Sequence, residues 1–507
     1  MSRPALYVAL NVCFALLVLA GCALSGPAVP VHPVYLIALF ALCSSPVLGV
    51  RALNDRNGLL VLFGLNYFVL YGLLDFTQLL FARAGAAAQG GVLGTDEAVI
   101  LTGGVLAFLG YHVSCRLRRA GTPNSDRDWS ERNLVMWGTV IWGVSTWIGW
   151  QFRVHVLVDN SLETLSRGFG TLSGLQLDAI MIAGYLQPMG IVILAYAYCM
   201  HRRPYLLLVL VGAVLVEMIY GVVTDSKGQV LIGIVLIAIT KLLADGKIPK
   251  AWLAVAAAVV VVVFPILQAN RVAMGQRGTD HAQAAQNIVE TIQRALAAQA
   301  STEAGPDRSE TFIERSSLKH SVTMIVDATG RSVAFQNGYT LSPLLTAFIP
   351  RIIWPEKLDV PTGRLVNKEF HVSEQEETNI SPSHLGELYW NFGWPGVLVG
   401  MTLIGLLLGF IAARFDLSQA VTLTRILILI GTVKLLVMGF EGALAVQYSV
   451  WMRTMLAIGL LHAVFARAPA ISFGRNGKVV PAAGVVLAAG EVPAAGELRP
   501  RYPNLLA

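Results

Sequence analysis

The chain has 507 residues, of which 55% are hydrophobic and only 13% are charged, and its mean hydropathy is +0.63. Soluble proteins are about 25% charged, so this chain has too few charged side chains to cover a water-exposed surface of its size. The composition excludes a cytosolic enzyme and a disordered protein and indicates an integral membrane protein. The net charge of +6 does not indicate nucleic-acid binding, because membrane proteins collect Lys and Arg on one face for topological reasons.

About twelve segments are apolar over the roughly 17–25 residues that a helix needs to cross a bilayer. They lie near residues 5–25, 34–50, 58–81, 96–114, 134–151, 178–199, 205–223, 229–245, 252–268, 391–413, 424–441 and 446–466. We therefore predict an all-α polytopic membrane protein, with the first nine transmembrane helices in residues 1–268 and the last three in residues 391–466.

The charge pattern predicts the orientation of these helices. With a cytoplasmic N-terminus, the short inside loops hold most of the loop cations, namely Arg51, Arg56, Arg116, Arg118, Arg119, Arg127, Arg132, Arg202, Arg203, Lys241, Lys247, Lys250 and Arg414. The short outside loops hold Arg83, Arg153, Arg167 and Lys227. The excess of Lys and Arg in the inside loops follows the positive-inside rule and predicts that both termini lie in the cytoplasm. Residues 467–507, rich in Ala, Pro and Gly, are then a cytoplasmic tail that we predict to be disordered.

Two interpretations are open for the first apolar segment. Leu19-Ala20-Gly21-Cys22 resembles a lipobox, whereas a first transmembrane helix that contains a cysteine explains the same residues. We favour the helix, and both interpretations give the later helices the same orientation. The five cysteines form no CxxC pair, so neither a disulfide framework nor a thiolate metal site is predicted.

A loop of about 120 residues, 269–390, separates the ninth and tenth predicted helices on the outer side. Loops without structure of their own rarely exceed about 15 residues, so this one is folded or functional. Apolar residues recur with helical spacing over 288–296, and Asp307 followed by Glu310 resembles a capping box. Two prolines interrupt the apolar stretch 339–354, which we interpret as interfacial or re-entrant.

The stretch from Ile349 to Trp394 combines polar and aromatic residues in the order IPRIIWPEK, PTGR and SPSHLGELYWNFGWPG. The Arg351 guanidinium, beside Trp354, can make two parallel hydrogen bonds to a phosphate at the membrane surface. An interfacial anchor without a ligand is the alternative, and residue type alone favours it.

Three polar residues of that stretch, His384, Glu387 and Asn391, are spaced to share one helix face if the tenth helix begins early. A carboxylate beside an imidazole in a partly dry site can serve as a general base for a hydroxyl nucleophile. Helix capping with an aromatic belt is the alternative, and the residues alone favour it.

Cations on the outer rim form a second candidate set. Arg271 and Arg277 follow the ninth helix, Lys227 lies in the turn DSKGQ, and Arg167 lies in LSRGFG. Such a set suits a diphosphate, although arginines that extend to the membrane surface explain it equally well.

Ionisable residues inside the predicted helices are Asp75, Glu217, Lys434 and Glu441. They are what a proton- or ion-coupled transporter would use. Lys434 and Glu441, seven apart, are predicted to share a helix face. The sequence has no GxxxxGK[ST], HExxH or GxSxG motif, so neither nucleotide hydrolysis nor a cofactor is predicted.

The basic turn SKGQ, the late external loop, IPRIIWPEK and SPSHLGELYWNFGWPGVLVG together resemble the O-antigen polymerases, the Wzy-type oligosaccharide repeat-unit polymerases. The resemblance covers roughly residues 160–415. It implies a GT-C-like, metal-independent glycosyltransferase of the bacterial inner membrane that acts on the periplasmic face. Such an enzyme moves a growing O-antigen, capsular or exopolysaccharide chain from undecaprenyl diphosphate onto a single lipid-linked repeat unit.

The resemblance also implies roles for residues and partners. Glu387 or His384 would orient or deprotonate the acceptor hydroxyl. The remaining site residues would bind the diphosphate (Arg271, Arg351, Arg364, Lys227, Arg167 and Asn391) or line the lipid and sugar path (Trp354, Tyr389 and Trp390). The basic turn is SKG here instead of an SRG-like turn, and Lys cannot make the same bidentate contact.

The implied partners are the undecaprenyl-diphosphate-linked oligosaccharide, the lipid bilayer, a chain-length regulator and a flippase, without nucleic acid. A polysaccharide exporter or lipid-linked oligosaccharide flippase is the alternative function. A ligase-like transferase onto a lipid A core is a further alternative, because it shares the donor and differs in the acceptor.

Overall fold

The computed structural model describes residues 2–25, 32–50, 55–81, 93–117, 127–153, 174–223, 227–246, 250–259, 317–346, 349, 353–354, 360–373, 379–418, 421–466, 468–469, 471–473 and 479–481. The protein is mostly helical. The described helices are α1 (Arg3–Ser25), α2 (Pro33–Ser44), α3 (Gly58–Tyr71), α4 (Leu73–Phe81), α5 (Thr95–Leu117), α6 (Glu131–Ile148), α7 (Gly174–His201), α8 (Pro204–Val223), α9 (Lys227–Asp245), α10 (Lys250–Val259), α11 (Lys319–Ala328), α12 (Pro343–Thr346), α13 (Thr362–Phe370), α14 (Ser383–Arg414), α15 (Leu423–Thr432) and α16 (Leu444–Phe465).

Short 3₁₀ and π segments extend three of these helices, and a few residues form strands. The 3₁₀ segment Ser45–Leu48 follows α2, the π segment Gly149–Arg153 follows α6, and the π segment Val433–Val437 with the 3₁₀ segment Met438–Glu441 follows α15. Strand β1 (Arg127–Asp128) pairs antiparallel with β2 (Ala468–Pro469), and β3 (Ile471–Phe473) pairs antiparallel with β4 (Val479–Pro481). Disorder of the tail 467–507 as a whole stays a prediction.

Among the described residues, seven helices are long and apolar enough to cross a membrane, and α3 with α4, bent by 54°, would make an eighth. This is consistent with a multi-pass membrane protein. Pro33–Leu48 and Lys250–Val259 are apolar but shorter. The count of about twelve crossings stays a prediction.

Helix α15 ends at Thr432, and π and 3₁₀ turns continue the same apolar segment to Glu441. The predicted shared face of Lys434 and Glu441 stays a prediction.

Helices α5 and α14 pack closely because glycines remove the side chains between them. A Cβ atom on Gly405 would lie 2.0 Å from the Ala107 carbonyl oxygen, and one on Gly110 would lie 2.6 Å from that of Thr402. Small residues at such a crossing let two helix backbones approach, as is common in membranes. This contact fixes α14, the helix that carries the predicted catalytic residues.

Helix α14 is broken where its sequence reads NFGWPG. Gly393 has φ 62° and ψ −143°, and Pro395 lacks the N–H that would bond the Asn391 carbonyl. Residues 336 and 337 supply the missing donors, because the N–H of Gln336 bonds the Trp390 carbonyl at 3.0 Å and that of Asn337 bonds the Asn391 carbonyl at 3.1 Å. At this break, residues 336–337 are therefore hydrogen-bonded to the middle of α14.

Helix α11 belongs to the described segment 317–346, which also contains residues 336–337, and it attaches this segment to the beginning of α5 and the region of α3 and α4. The Leu318 N–H bonds the Leu70 carbonyl at 2.9 Å, and the Thr323 hydroxyl donates to the Asp96 carboxylate at 2.5 Å. At the other end of α5, the Tyr111 hydroxyl donates to the Arg56 carbonyl. The contacts of α11 therefore lie at the beginning of α5, whereas the contact with Arg56 lies near its end.

Candidate functional site

Most of the predicted site residues that the structure describes lie on α14. His384, Glu387, Tyr389, Trp390 and Asn391 are on this helix, Arg364 is half-buried on α13, and Trp354 is in the short described piece 353–354. Arg167, Arg271 and Arg351 lie outside the described residues, and so does the side chain of Lys227, whose backbone begins α9. A cluster of these cations around a diphosphate therefore stays a prediction.

The ring of His384 is completely buried between two aromatic side chains. Its centroid lies 4.6 Å from that of Phe440 and 5.5 Å from that of Tyr448. Within the described part of the chain, neither ring nitrogen has a hydrogen-bond partner, and the Tyr448 hydroxyl has none either. A neutral imidazole carries one donor and one acceptor, so both capacities of His384 are unused.

Glu387 is also completely buried, and one of its oxygens caps a neighbouring helix. Oε2 accepts a hydrogen bond from the Leu444 N–H at 2.5 Å, at the first residue of α16. The N-cap residue Ala443 has no side chain that could do this, so Glu387 supplies the cap from another helix. The positive end of the α16 dipole favours a charged carboxylate there. The other oxygen, Oε1, has no hydrogen-bond partner among the described groups.

Asn391 makes three hydrogen bonds, all of them to protein groups. Its Oδ1 accepts from the Gly338 N–H at 2.8 Å, and its Nδ2 donates to the Thr340 hydroxyl at 2.7 Å and to the Glu387 carbonyl at 2.8 Å. These bonds join the segment 317–346 to α14. The predicted contact of Asn391 with a diphosphate stays a prediction.

The three predicted lining aromatics differ in exposure. Trp354 is 43% exposed, whereas Tyr389 and Trp390 are buried. The Trp390 ring packs edge-on against Phe370 at 5.3 Å between centroids, and its Nε1 lacks a hydrogen-bond partner in the described structure. Trp354 is therefore accessible at the surface, while Trp390 fills the space between α13 and α14, and the lipid- and sugar-lining roles stay predictions.

The structure adds two residues that the sequence analysis missed, Thr340 and Tyr448. Thr340 lies in the turn before α12 and is completely buried against Asn391. Tyr448 lies on α16 and packs against His384. No local pattern marks either residue, because each reaches the site from a segment more than 50 residues away along the chain.

Two carboxylates that the sequence placed inside membrane helices are satisfied by other side chains. Asp75 pairs with Lys319 at 2.6 Å. Glu217 accepts hydrogen bonds from Gln187 Nε2 at 2.7 Å and Trp142 Nε1 at 3.2 Å. These contacts give both carboxylates a role in holding helices together.

The Lys319 ion pair is part of a buried charge cluster. The ammonium group also contacts Glu97 at 2.9 Å and lies 4.6 Å from the centre of the Tyr35 ring. Burial lowers the pKa of Lys319, but the Asp75 and Glu97 carboxylates outweigh it, so its pKa is raised above the usual value. The cluster anchors the segment 317–346, which includes Thr340.

Among the described residues, no group of three or more His, Cys, Asp and Glu side chains is arranged to hold a metal ion. The side chains gathered at the described site are an imidazole, a carboxylate and hydroxyl groups, those of His384, Glu387, Thr340 and Tyr448. These groups can accept and donate protons to a polar substrate that reaches them.

Neither the curated proteins nor the solved structures contain a match to this chain. Residues 163–467, which include α14 and its partners Thr340 and Tyr448, match a family described as a domain of unknown function. Because this match covers more than half of the sequence, the chain belongs to the DUF8712 family.

Proposed function

We propose that the protein is a membrane glycosyltransferase that polymerises undecaprenyl-diphosphate-linked oligosaccharide repeat units. The observation that carries this proposal is the state of His384 and Glu387. They lie one helical turn apart, both completely buried, and both His384 ring nitrogens and Glu387 Oε1 lack hydrogen-bond partners among the described residues.

Unused polar atoms at a buried position are expensive. Each costs about 1–3 kcal/mol, so natural proteins retain few of them, and those retained are often at functional sites. An acid–base pair in this state suits a substrate hydroxyl that would satisfy it. The pair lies in the sequence element, SPSHLGELYWNFGWPGVLVG, that resembles the repeat-unit polymerases.

In the proposed reaction, Glu387 accepts the proton of the acceptor sugar hydroxyl, with His384 orienting that hydroxyl. The hydroxyl oxygen then bonds to C1 of the sugar attached to the carrier. The bond between C1 and the phosphate oxygen breaks, and its electron pair leaves with undecaprenyl diphosphate. The guanidinium groups of Arg271, Arg351 and Arg364, which we predict to bind the diphosphate, would stabilise the charge on that leaving group. The product is a glycan longer by one repeat unit.

Substrate access in this proposal requires a movement. Phe440 and Tyr448 cover His384, and the turn containing Thr340 lies against Asn391. A sugar reaches Glu387 when the turn or the beginning of α16 separates from α14. Conformational steps of this kind are common before transfer in enzymes with enclosed sites.

The proposed location is the bacterial inner membrane, with both termini in the cytoplasm and the site facing the periplasm. The grouping of contacts at the two ends of α5 supports this, because α11 and the beginning of α5 belong to loops that the cation count predicts to be external. The lipid-linked oligosaccharide, a chain-length regulator and a flippase are the proposed partners.

Purified protein in liposomes with lipid-linked repeat units tests the proposal directly. We expect the wild-type protein to produce chains of increasing length without an energy source. The Glu387→Gln variant serves as the control and should produce none. Translocation of unchanged repeat units across the bilayer would instead identify a flippase. Transfer onto added lipid A core, without chain growth on the carrier, would identify a ligase. A deletion strain should retain single repeats and lose polymer.

A further inference from the structure

The orientation of the Asn391 amide is fixed by its surroundings. The Gly338 N–H can only donate, so the side-chain atom 2.8 Å from it must be the oxygen Oδ1. The other atom is therefore the NH₂ group, which donates to the Thr340 hydroxyl oxygen at 2.7 Å and to the Glu387 carbonyl at 2.8 Å. In this arrangement the Thr340 oxygen acts as an acceptor.

This assignment determines where the Thr340 proton can go. A hydroxyl has one proton, and because its oxygen accepts from Asn391, that proton is available to another group. Because the same Asn391 NH₂ group bonds the Thr340 hydroxyl oxygen and the Glu387 carbonyl, the Thr340 hydroxyl lies against Glu387, within reach of the Glu387 carboxylate. Its Oε1 has no other partner among the described residues, and both side chains are completely buried.

We infer that Thr340 is a positioning residue that donates its proton to the Glu387 carboxylate, with Asn391 fixing the direction of that bond. The inference rests on the proposed function for the role of Glu387 as the base. The Leu444 N–H bonds Oε2, the Thr340 hydroxyl would bond Oε1, and both bonds favour the charged form of the carboxylate. Because each carboxylate oxygen has two lone pairs, Oε1 can accept from Thr340 and also from the acceptor hydroxyl.

A merely structural Thr340 would do something different. In that case the hydroxyl would only accept from Asn391 and so hold the turn 337–342 against α14. Loss of the hydroxyl would then lower stability and maximal rate without changing the pH dependence of the reaction. The pH dependence therefore separates the two roles.

The test compares Thr340→Val, which keeps the shape and removes the hydroxyl, with Thr340→Ser, which keeps the hydroxyl. For Thr340→Val we expect the acidic limb of the rate profile to move to higher pH by about one to two units, because a hydrogen bond to a charged group is lost. Thr340→Ser should restore the wild-type limb. Thr402→Val on α14, the helix that carries Glu387, is the control for loss of a threonine hydroxyl, because the Thr402 hydroxyl bonds the Leu398 carbonyl instead.

A second readout does not depend on the substrate. The infrared band of a protonated buried carboxyl, assigned by its loss in Glu387→Gln, should appear at higher pH in Thr340→Val than in the wild type or Thr340→Ser. An unchanged band would overturn the role of Thr340 even if polymerisation is confirmed. A shifted band in a protein that does not polymerise would retain the Thr340 contact and reject the proposed function.

Discussion

Glu217 and Glu387 are both buried on apolar helices, and their surroundings differ. Glu217 on α8 is 1% exposed and accepts hydrogen bonds from Gln187 and Trp142. Glu387 on α14 has one oxygen bonded to the α16 N-terminus and one without a partner among the described groups. The satisfied carboxylate connects helices, whereas the incompletely satisfied one has capacity left for a ligand.

The difference shows why burial and charge alone do not identify a functional carboxylate. Both glutamates are costly to place in an apolar region, and sequence patterns do not separate them. What separates them is the number of hydrogen-bond donors that neighbouring helices supply. The following predictions test this distinction between satisfied and incompletely satisfied buried groups.

The largest expected effect is on activity at the two glutamates. Glu387→Gln should reduce the polymerisation rate by about 10²–10⁴-fold, because a neutral amide cannot accept the acceptor proton. Glu217→Gln should retain more than about half of the rate, since its carbonyl oxygen can still accept from Gln187 and Trp142. Rates are measured with lipid-linked repeat units in liposomes at equal amounts of folded protein. Equal losses in both variants would remove Glu387 from the site.

The buried ion cluster should show the largest effect on stability. Lys319→Met leaves Asp75 and Glu97 buried without their cation, which destabilises a protein by about 3–5 kcal/mol. The matched Lys241→Met should cost less than about 1 kcal/mol, because Asp245 is more exposed and keeps its contact with Arg202 at 3.2 Å. Thermal unfolding in detergent measures both. Similar losses would show that the cluster does not anchor the segment 317–346.

His384→Phe separates function from packing at the incompletely satisfied site. Phenylalanine keeps the ring contacts with Phe440 and Tyr448 and removes two buried polar nitrogens. The unfolding temperature should therefore be unchanged or higher, because replacing an unsatisfied polar group by an apolar one of similar shape is neutral or stabilising. Polymerisation should fall by at least about 10-fold. A destabilised variant with full activity would show that His384 serves the fold.

The smallest effect is expected at Asp128, a satisfied carboxyl in β1. Burial raises its pKa, although hydrogen bonds from the Tyr196 hydroxyl and the N–H groups of Trp129 and Leu423 oppose this. A carboxyl with a raised folded-state pKa binds its proton more tightly in the folded protein, so its contribution to stability is lost as pH rises through that pKa.

Asp128→Asn should therefore flatten the dependence of the unfolding temperature on pH above the usual aspartate value of about 4. The amide oxygen keeps an acceptor for the two N–H groups, so the change in stability at neutral pH should stay near 1 kcal/mol or below. Unfolding in detergent between about pH 4 and 8 gives the comparison with the wild type. A profile as steep as that of the wild type would assign the pH dependence to another group.

Local sequence determined much of the helical framework. The apolar runs predict helices that the structure contains, and the shared face of His384, Glu387 and Asn391 follows from their spacing once α14 begins at Ser383. The break at Gly393 and Pro395 also follows from the residues, because proline removes a helical donor. Helix positions, helix faces and helix breaks depend on a few neighbouring residues, so they can be predicted from the sequence.

The tertiary structure decided which polar groups are satisfied. Lys319 meets Asp75 across 244 positions of sequence, Thr340 meets Asn391 across 51, and Glu387 caps α16 across 57. Such pairs depend on the relative height and rotation of separate helices, which no periodicity within one helix encodes. For the same reason, the sequence offered His384 and Glu387 as candidates, but the contacts of their neighbours distinguished them from Glu217.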